Sequence, residues 1–332
     1  MRTRELFRNT IFIGLLLAEP GALRAQRDSA QPIPFRAGSK WGYVNKAKKT
    51  LIQPRYDFAW PFSEGLAIVL AGGRYGYINS SGNKVIKPVY QAAGGFREGL
   101  APVKSKGSWG YIGKDGTAVI PFEYEEAMQP SEGRAAAKKD GRWGLINTVT
   151  KRFVPTRYDE IFSFSEGLAR VRVGGLYGYI DEAGVEVIPP VYEEAFPFQN
   201  GFASARLRLR YGFISLETKA FKAKEFFNIG PVSEGLSHAE NRTDVSNLCG
   251  YIDPEGVEKI PFSYFMCASF SEGLAPVLKS LSGKWGFIDK TGKEAIPFKY
   301  DEITGFKDGL AKVVLKNKTF YIDREGLEYL RK

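Results

Sequence analysis

The chain has 332 residues, 43% of them apolar and 14% aromatic, with 37 glycines and a formal charge of +10. That apolar share excludes a disordered chain. The length allows two ordinary domains or one repeat array, and without a composition break inside the array we read one unit.

The first residues differ from the rest. "MRTRELFR" is basic, "TIFIGLLLA" is apolar, and "GALRA" brings small residues up to Ala25. This is the pattern of a secretory signal peptide, and the apolar run is too short to span a bilayer comfortably. Residues 1–25 are therefore expected to be a signal peptide and 26–332 a single array. Cleavage after Ala25 removes four arginines and two glutamates and lowers the charge to +8.

A repeat begins at Lys40 with "KWGYVNKAKKTLIQPRYDFA" and returns as "RYGYINSSGNKVIKPVYQAA", "SWGYIGKDGTAVIPFEYEEA" and, from Lys284, "KWGFIDKTGKEAIPFKYDEI". The glycine after the aromatic falls at 42, 76, 110, 144, 178, 212, 250 and 286, mostly 34 residues apart. A period of 20–50 residues marks stacked or radial repeat units. A second landmark, "FSEGLARV" or a variant, keeps the same step.

Within one unit "LAPVLK", "KWGFID" and "KEAIPF" read as three strands separated by glycine-bearing turns. Each unit is thus expected to be a three-stranded meander, followed by a link that carries tyrosine and an acid and has room for a fourth, short strand. Alternation sends Trp285 and Phe287 one way and Gly286 and Ile288 the other. The glycine leaves a groove, and the expected filler is a neighbouring unit's aromatic from the Tyr300 or Phe306 columns. The column of Trp41, Trp109, Trp143 and Trp285 also accepts Tyr75, Tyr177, Tyr211, Cys249 and Thr319, which favours core packing over ligand stacking. Glu64, Glu98, Glu132, Glu166, Glu234 and Glu272 recur in step and read as turn and loop fasteners rather than catalysts.

With units such as "KWGFIDKTGKEAIPFKYDEITGFKDGLAKV" at 284–313, residues 36–330 resemble the WG-repeat family, also called the KWG repeat. The resemblance implies a bacterial β-rich tandem repeat that binds or scaffolds, with no catalytic residue to carry over. Departures lie at Cys249, at Thr319-Phe320, and in the sixth unit, where "SLETKAFKAKEFF" lacks the turn glycine and the proline. The expected fold is all-β: eight full units of about 34 residues plus a partial terminal one, in an open β-solenoid-like array or a large propeller. "QPIPF" and "LEYLRK" either cap the two ends or complete one another's blade.

Function is sought where the repeat varies. The fourth position of the strand after "SEG" reads Lys104, Lys138, Arg172 and Arg206 in four successive units, with Arg170 and Arg208 beside it. Positions two and four are expected to face away from the packed alanines and valines. The row reads as an anionic binding stripe or as a solvated basic face. Nucleic acid is disfavoured, because the repeat claims the aromatics and export removes the chain from DNA; an envelope protein, anionic glycan or lipid headgroup fits better, in the periplasm or at a bacterial cell surface.

His238, Glu240 and Asp244, in the 237–248 loop, are too loosely spaced for a metal site, and no cofactor motif is present. Export makes a Cys249–Cys267 disulfide reasonable; two free thiols are the alternative. The preferred function is a non-enzymatic exported binding or scaffold protein. The alternative is a hydrolase or lyase acting on a surface polymer, which one cleft gathering acids from outside the repeated columns would favour.

Overall fold

A computed structural model describes residues 31–242 and 247–331. The expected signal peptide and Asp244 lie outside them. The described residues form nine β units. In the second unit the strands Phe58–Ser63, Leu66–Ala71, Arg74–Asn79 and Lys84–Tyr90 run antiparallel, each paired with the next in sequence. Seven separate four-stranded sheets share this plan. The unit is therefore four-stranded: the link after each proline-bearing strand supplies the first strand of the following unit. Often this strand is only two residues long, as at Ala92–Ala93, which pairs with Ala101–Ser105.

The recurring glycine answers to its own unit, not to a neighbour's aromatic as the sequence suggested. Tyr75 pairs with Tyr90 and Tyr77 with Ile86, so three residues of the fourth strand bulge opposite Gly76. A Cβ on Gly76 would lie 2.6 Å from both the Ile86 oxygen and the Pro88 nitrogen. No side chain fits there, and proline suits a bulged position that donates no ladder bond. The ninth unit carries Phe320 at this place. Its last strand, Glu328–Arg331, pairs with the third strand only through Glu328 and Tyr329 and then leaves, which frees space for the ring.

That departing end closes the molecule. Leu330 and Arg331 pair in parallel with Arg36 and Ala37 of the strand Ile33–Ala37. The first and ninth units thus share one seven-stranded sheet, and Trp41 meets Tyr321 edge-on at 5.9 Å. The two ends complete one another's blade; no individual sheet closes into a barrel, but contacts run from unit to unit and back to the first, as in a propeller.

Joints between units repeat as well. The Tyr43, Tyr77, Tyr111, Tyr179 and Tyr251 hydroxyls donate to link carbonyls of the following unit, at 2.9, 2.7, 2.7, 2.6 and 2.8 Å. Burial holds these phenols above their ordinary pKa. Where Phe213 replaces tyrosine, the Ser204 hydroxyl donates to the corresponding carbonyl, Gly230 O, at 2.7 Å. The sixth unit keeps its place with a fourth strand shortened to Phe221–Ala223.

Candidate functional site

The "SEG" turn explains the acidic column. Glu98 and Gly99 both take positive φ, 53° and 77°, the geometry of a two-residue hairpin loop. A glutamate there is strained, and its carboxylate offsets the strain by reaching the next unit. Glu98 accepts from the Glu132 and Gly133 amides at 2.7 and 3.0 Å. Glu132 does the same with Glu166 and Gly167, both at 2.9 Å, and Glu166 with Asn200 and Gly201 at 2.6 and 3.0 Å. These acids are inter-unit clasps.

The first acid of each link has a different task. Asp57, Glu125 and Asp159 accept from the turn amides of Gly72, Gly141 and Gly174 at 2.8, 2.9 and 2.8 Å. The second acid faces the basic row. Glu126 stands opposite Lys138, Glu160 opposite Arg172 and Glu194 opposite Arg206. The ion pairs measure 3.4, 3.3 and 3.2 Å, and Arg206 also meets Glu193 at 3.5 Å. Pair character changes in concert elsewhere: Phe58 faces Leu70, Asn228 faces Glu240, and Met266 faces Leu278. Lys104 faces Ala92 and, among the described residues, has no acid.

The face carrying this row is not turned outward as the sequence suggested. It packs on the next unit. Ile68, Ala136 and Ser204, at position two, are buried, and position four sits at the margin, with the Lys138, Arg172 and Arg206 side chains 30%, 39% and 30% exposed. Arg170, also at position two, belongs to a joint. Its guanidinium lies 3.8 Å from the Phe162 ring centre and 5.1 Å from that of Tyr177, and it donates to the Ala195 carbonyl of the next unit. Burial pulls its pKa down. Arg208 is exposed, in a tight turn at φ 51°.

Cys249 and Cys267 form a disulfide, Cα atoms 6.0 Å apart. It ties the third strand of the seventh unit, Asn247–Ile252, to the first strand of the eighth, Met266–Cys267. His238 packs against Gly230. Its Nδ1 is buried without a hydrogen-bond partner, and burial lowers its pKa, opposed by Glu240. Glu240 itself accepts from Asn228 Nδ2 at 3.0 Å. No group of three His, Cys, Asp or Glu side chains among the described residues is placed to hold a metal.

The strongest break in the repeat is a cavity of about 700 Å³ at the seam. Trp60, Gly94, Gly95 and Gln129 line it from units two to four, and Thr304 and Lys312 from unit nine. Among the described residues the first unit has no first strand of its own. Trp60 sits 4.4 Å from Phe58 and 5.8 Å from Tyr75, ring centre to ring centre. Sequence reasoning passed over this site, although two signals were present. Trp60 is the one tryptophan outside the repeated column, and Gly94-Gly95 replaces bulkier link residues. The acids lining the cavity, Glu64 and Asp308, both come from the repeated column.

The family model described as WG containing repeat matches residues 41–75, 75–108, 109–143, 143–177, 177–208, 250–280 and 285–318. The chain belongs to the WG-repeat family. The longest stretch left unmatched inside this WG-repeat protein, 209–249, holds the irregular sixth fourth strand and the strand Ser237–Arg242, which carries His238 and Glu240 in a paired strand where the sequence suggested a loop. No curated protein matches. Among solved structures, a eukaryotic initiation factor is similar at TM-score 0.61 and 12% identity, over 90% of this chain and 95% of that one; this likeness concerns the fold alone. Hsv2 of Kluyveromyces lactis matches at TM-score 0.41 and 11% identity, over 68% of this chain and 90% of that one.

Proposed function

We propose that this WG-repeat protein is an exported, non-enzymatic binding ring that recognises an anionic glycan of the bacterial envelope. The carrying observation is the row Lys104, Lys138, Arg172 and Arg206, which four successive units hold at the same place, with Lys104 free of an opposing acid. The exposed turn residues Lys106 and Arg208 extend it. A polyanion meets several such cations together and displaces their counterions. Against a hydrolase or lyase stands the origin of the cavity's acids, which are clasp residues of the repeat. Among the described residues no helix is long and apolar enough to cross a membrane.

The test is binding of polygalacturonate to the mature chain across a salt series, with anionic vesicles and acidic envelope proteins as further arms. The quadruple variant K104Q/K138Q/R172Q/R206Q is expected to bind at least about tenfold more weakly at low salt, with an unchanged circular dichroism spectrum. Among single changes K104Q should cost most, since Lys104 engages a ligand without first leaving a carboxylate. If the folded quadruple variant binds as the parent does, the row is only a solvated face. Intact mass of protein from its host should show cleavage near Ala25; an uncleaved cytoplasmic chain overturns the export reading.

A further inference from the structure

Units four and six share a departure in backbone. In the regular second unit the Asn79 amide donates to the Asn83 carbonyl across the turn before the fourth strand. In unit four the Asn147 amide reaches Arg152, and in unit six the Ser215 amide reaches Ala220, one residue further. The fourth strands then run in plain register, Gly144 opposite Pro155 and Gly212 opposite Ala223, and keep only three residues each. Beside the shortened strand of unit four lies a cavity of about 650 Å³, which also touches the turn at Glu182, Ala183 and Gly184 of unit five.

The two units share this backbone but not its side chains. Where unit six and its link carry Phe202, Ala220 and Glu225, unit four and its link carry Arg134, Arg152 and Arg157. All three arginines line the cavity, and unit six shows that the backbone plan does not require them. Arg134 departs furthest from the repeat. Leu66, Leu100, Leu168, Leu274 and Leu310 hold its place elsewhere and are buried. A guanidinium there loses water, and its own bonds offset that loss: it donates to the Glu182 carbonyl at 3.0 Å and the Gly133 carbonyl at 3.1 Å. These bonds hold Arg134 between two units, with its side chain 22% exposed and the Glu182 carboxylate 3.8 Å away.

The other two cations are open to solvent. Arg157 pairs with Glu186 at an exposed site, and Arg152, among the described residues, has no carboxylate. A second cavity of about 580 Å³ shares Thr156, Arg157 and Tyr158 with the first and adds Lys138 and Arg142. The two linings carry five cations against two acids, Glu182 and Asp159, and Asp159 is already held by the Gly174 amide.

Three guanidinium groups around one cavity match the three free oxygens of a phosphate or sulfate ester, which planar guanidinium forks bind in pairs; a carboxylate offers only two. Val154 and Pro155 give apolar contact, and Asn147 and Thr150 polar groups, for the body that carries the ester. The volume is in the range of small-molecule sites. We propose that the crevice between units four and five binds a sugar-sized ester of a tetrahedral oxyanion, phosphate or sulfate, held by Arg134, Arg152 and Arg157. This site is separate from the basic row and stands whether or not the row binds a glycan.

The probes are glucose 6-phosphate and glucose 6-sulfate, titrated calorimetrically into the mature full-length chain, with glucose and glucuronate as controls. At least one ester is expected to bind, glucose not, and glucuronate about tenfold more weakly or less. The tighter of the two esters names the oxyanion. R152Q/R157Q changes only exposed side chains and is expected to weaken ester binding about tenfold or more with an unchanged circular dichroism spectrum. R134F, which carries the residue of unit six, should weaken it as well, and R152Q/R157Q keeps the test valid if R134F fails to fold. K104Q/R172Q/R206Q leaves both cavities intact and should bind the ester as the parent does, which separates this site from the row. Binding of neither ester, unaltered binding by folded R152Q/R157Q, or equal affinity for glucuronate overturns the proposal.

Discussion

Gly178 and Phe320 hold the same place in two units and are not interchangeable. A Cβ on Gly178 would meet the Ile188 oxygen and the Pro190 nitrogen at 2.6 Å. Valine there must displace backbone, and G178V is expected to lose about 3 kcal/mol of unfolding free energy in urea. Phe320 is 1% exposed and packs near Tyr300, at 6.5 Å between ring centres. Restoring the repeat's glycine with F320G opens a cavity and should cost about 4 kcal/mol. Loss at only one of the two sites contradicts this account of the column. His238 supplies a pH test. It is the only histidine, and burial lowers its folded pKa. The unfolded chain therefore takes up the proton first as pH falls. Its contribution is complete above about 6.5 and declines below that value. Glu64 and Glu234, whose folded pKa values are also lowered, lose their contributions only at more acidic pH. Between pH 7 and 5 the parent should lose stability while H238Q stays nearly flat in chemical denaturation; parallel profiles would remove His238 as the cause.

Between elements, the clasps and the disulfide carry the testable load. E132A removes the acceptor of the Glu166 and Gly167 amides and leaves alanine at φ 53°. A loss of about 2 kcal/mol is expected. E132G loses the same bonds but accommodates the left-handed backbone, so it should be less damaging. The reverse order would mean that left-handed strain at this turn adds nothing to the cost. The Cys249–Cys267 bond has a sequence separation of 18 and crosses a joint. C249S/C267S is expected to lose about 3 kcal/mol, read as a lower urea midpoint than that of the oxidised parent under nonreducing conditions.

At the scale of the whole molecule the last strand decides the shape. Removing residues 328–332 deletes the pairing of Leu330 and Arg331 with Arg36 and Ala37. It also removes Tyr329 from the buried cluster that holds Trp41, a side chain 3% exposed. The truncated chain should show faster amide exchange at Arg36 and Ala37 and red-shifted tryptophan emission, while the joints of units three to eight keep their protection. Unchanged exchange at the seam would show that the ring closes by other means.

Local chemistry by itself determined the β content, the period and the turns. Alternation, glycine after the aromatic and proline before the link act within one unit, and each is written in a few consecutive residues. The clasp role of the acidic column was legible for the same reason, since eight copies of one turn imply one use. Which partner fills the glycine groove was not, because a bulge depends on the register between two strands. The neutralised basic row was hidden likewise: Glu126 and Lys138 meet only when a link strand joins the following unit. Ring closure and the seam cavity belong wholly to tertiary structure. They arise because the small rotation between units, summed over nine of them, brings residue 36 beside residue 330, a sum that no single repeat encodes.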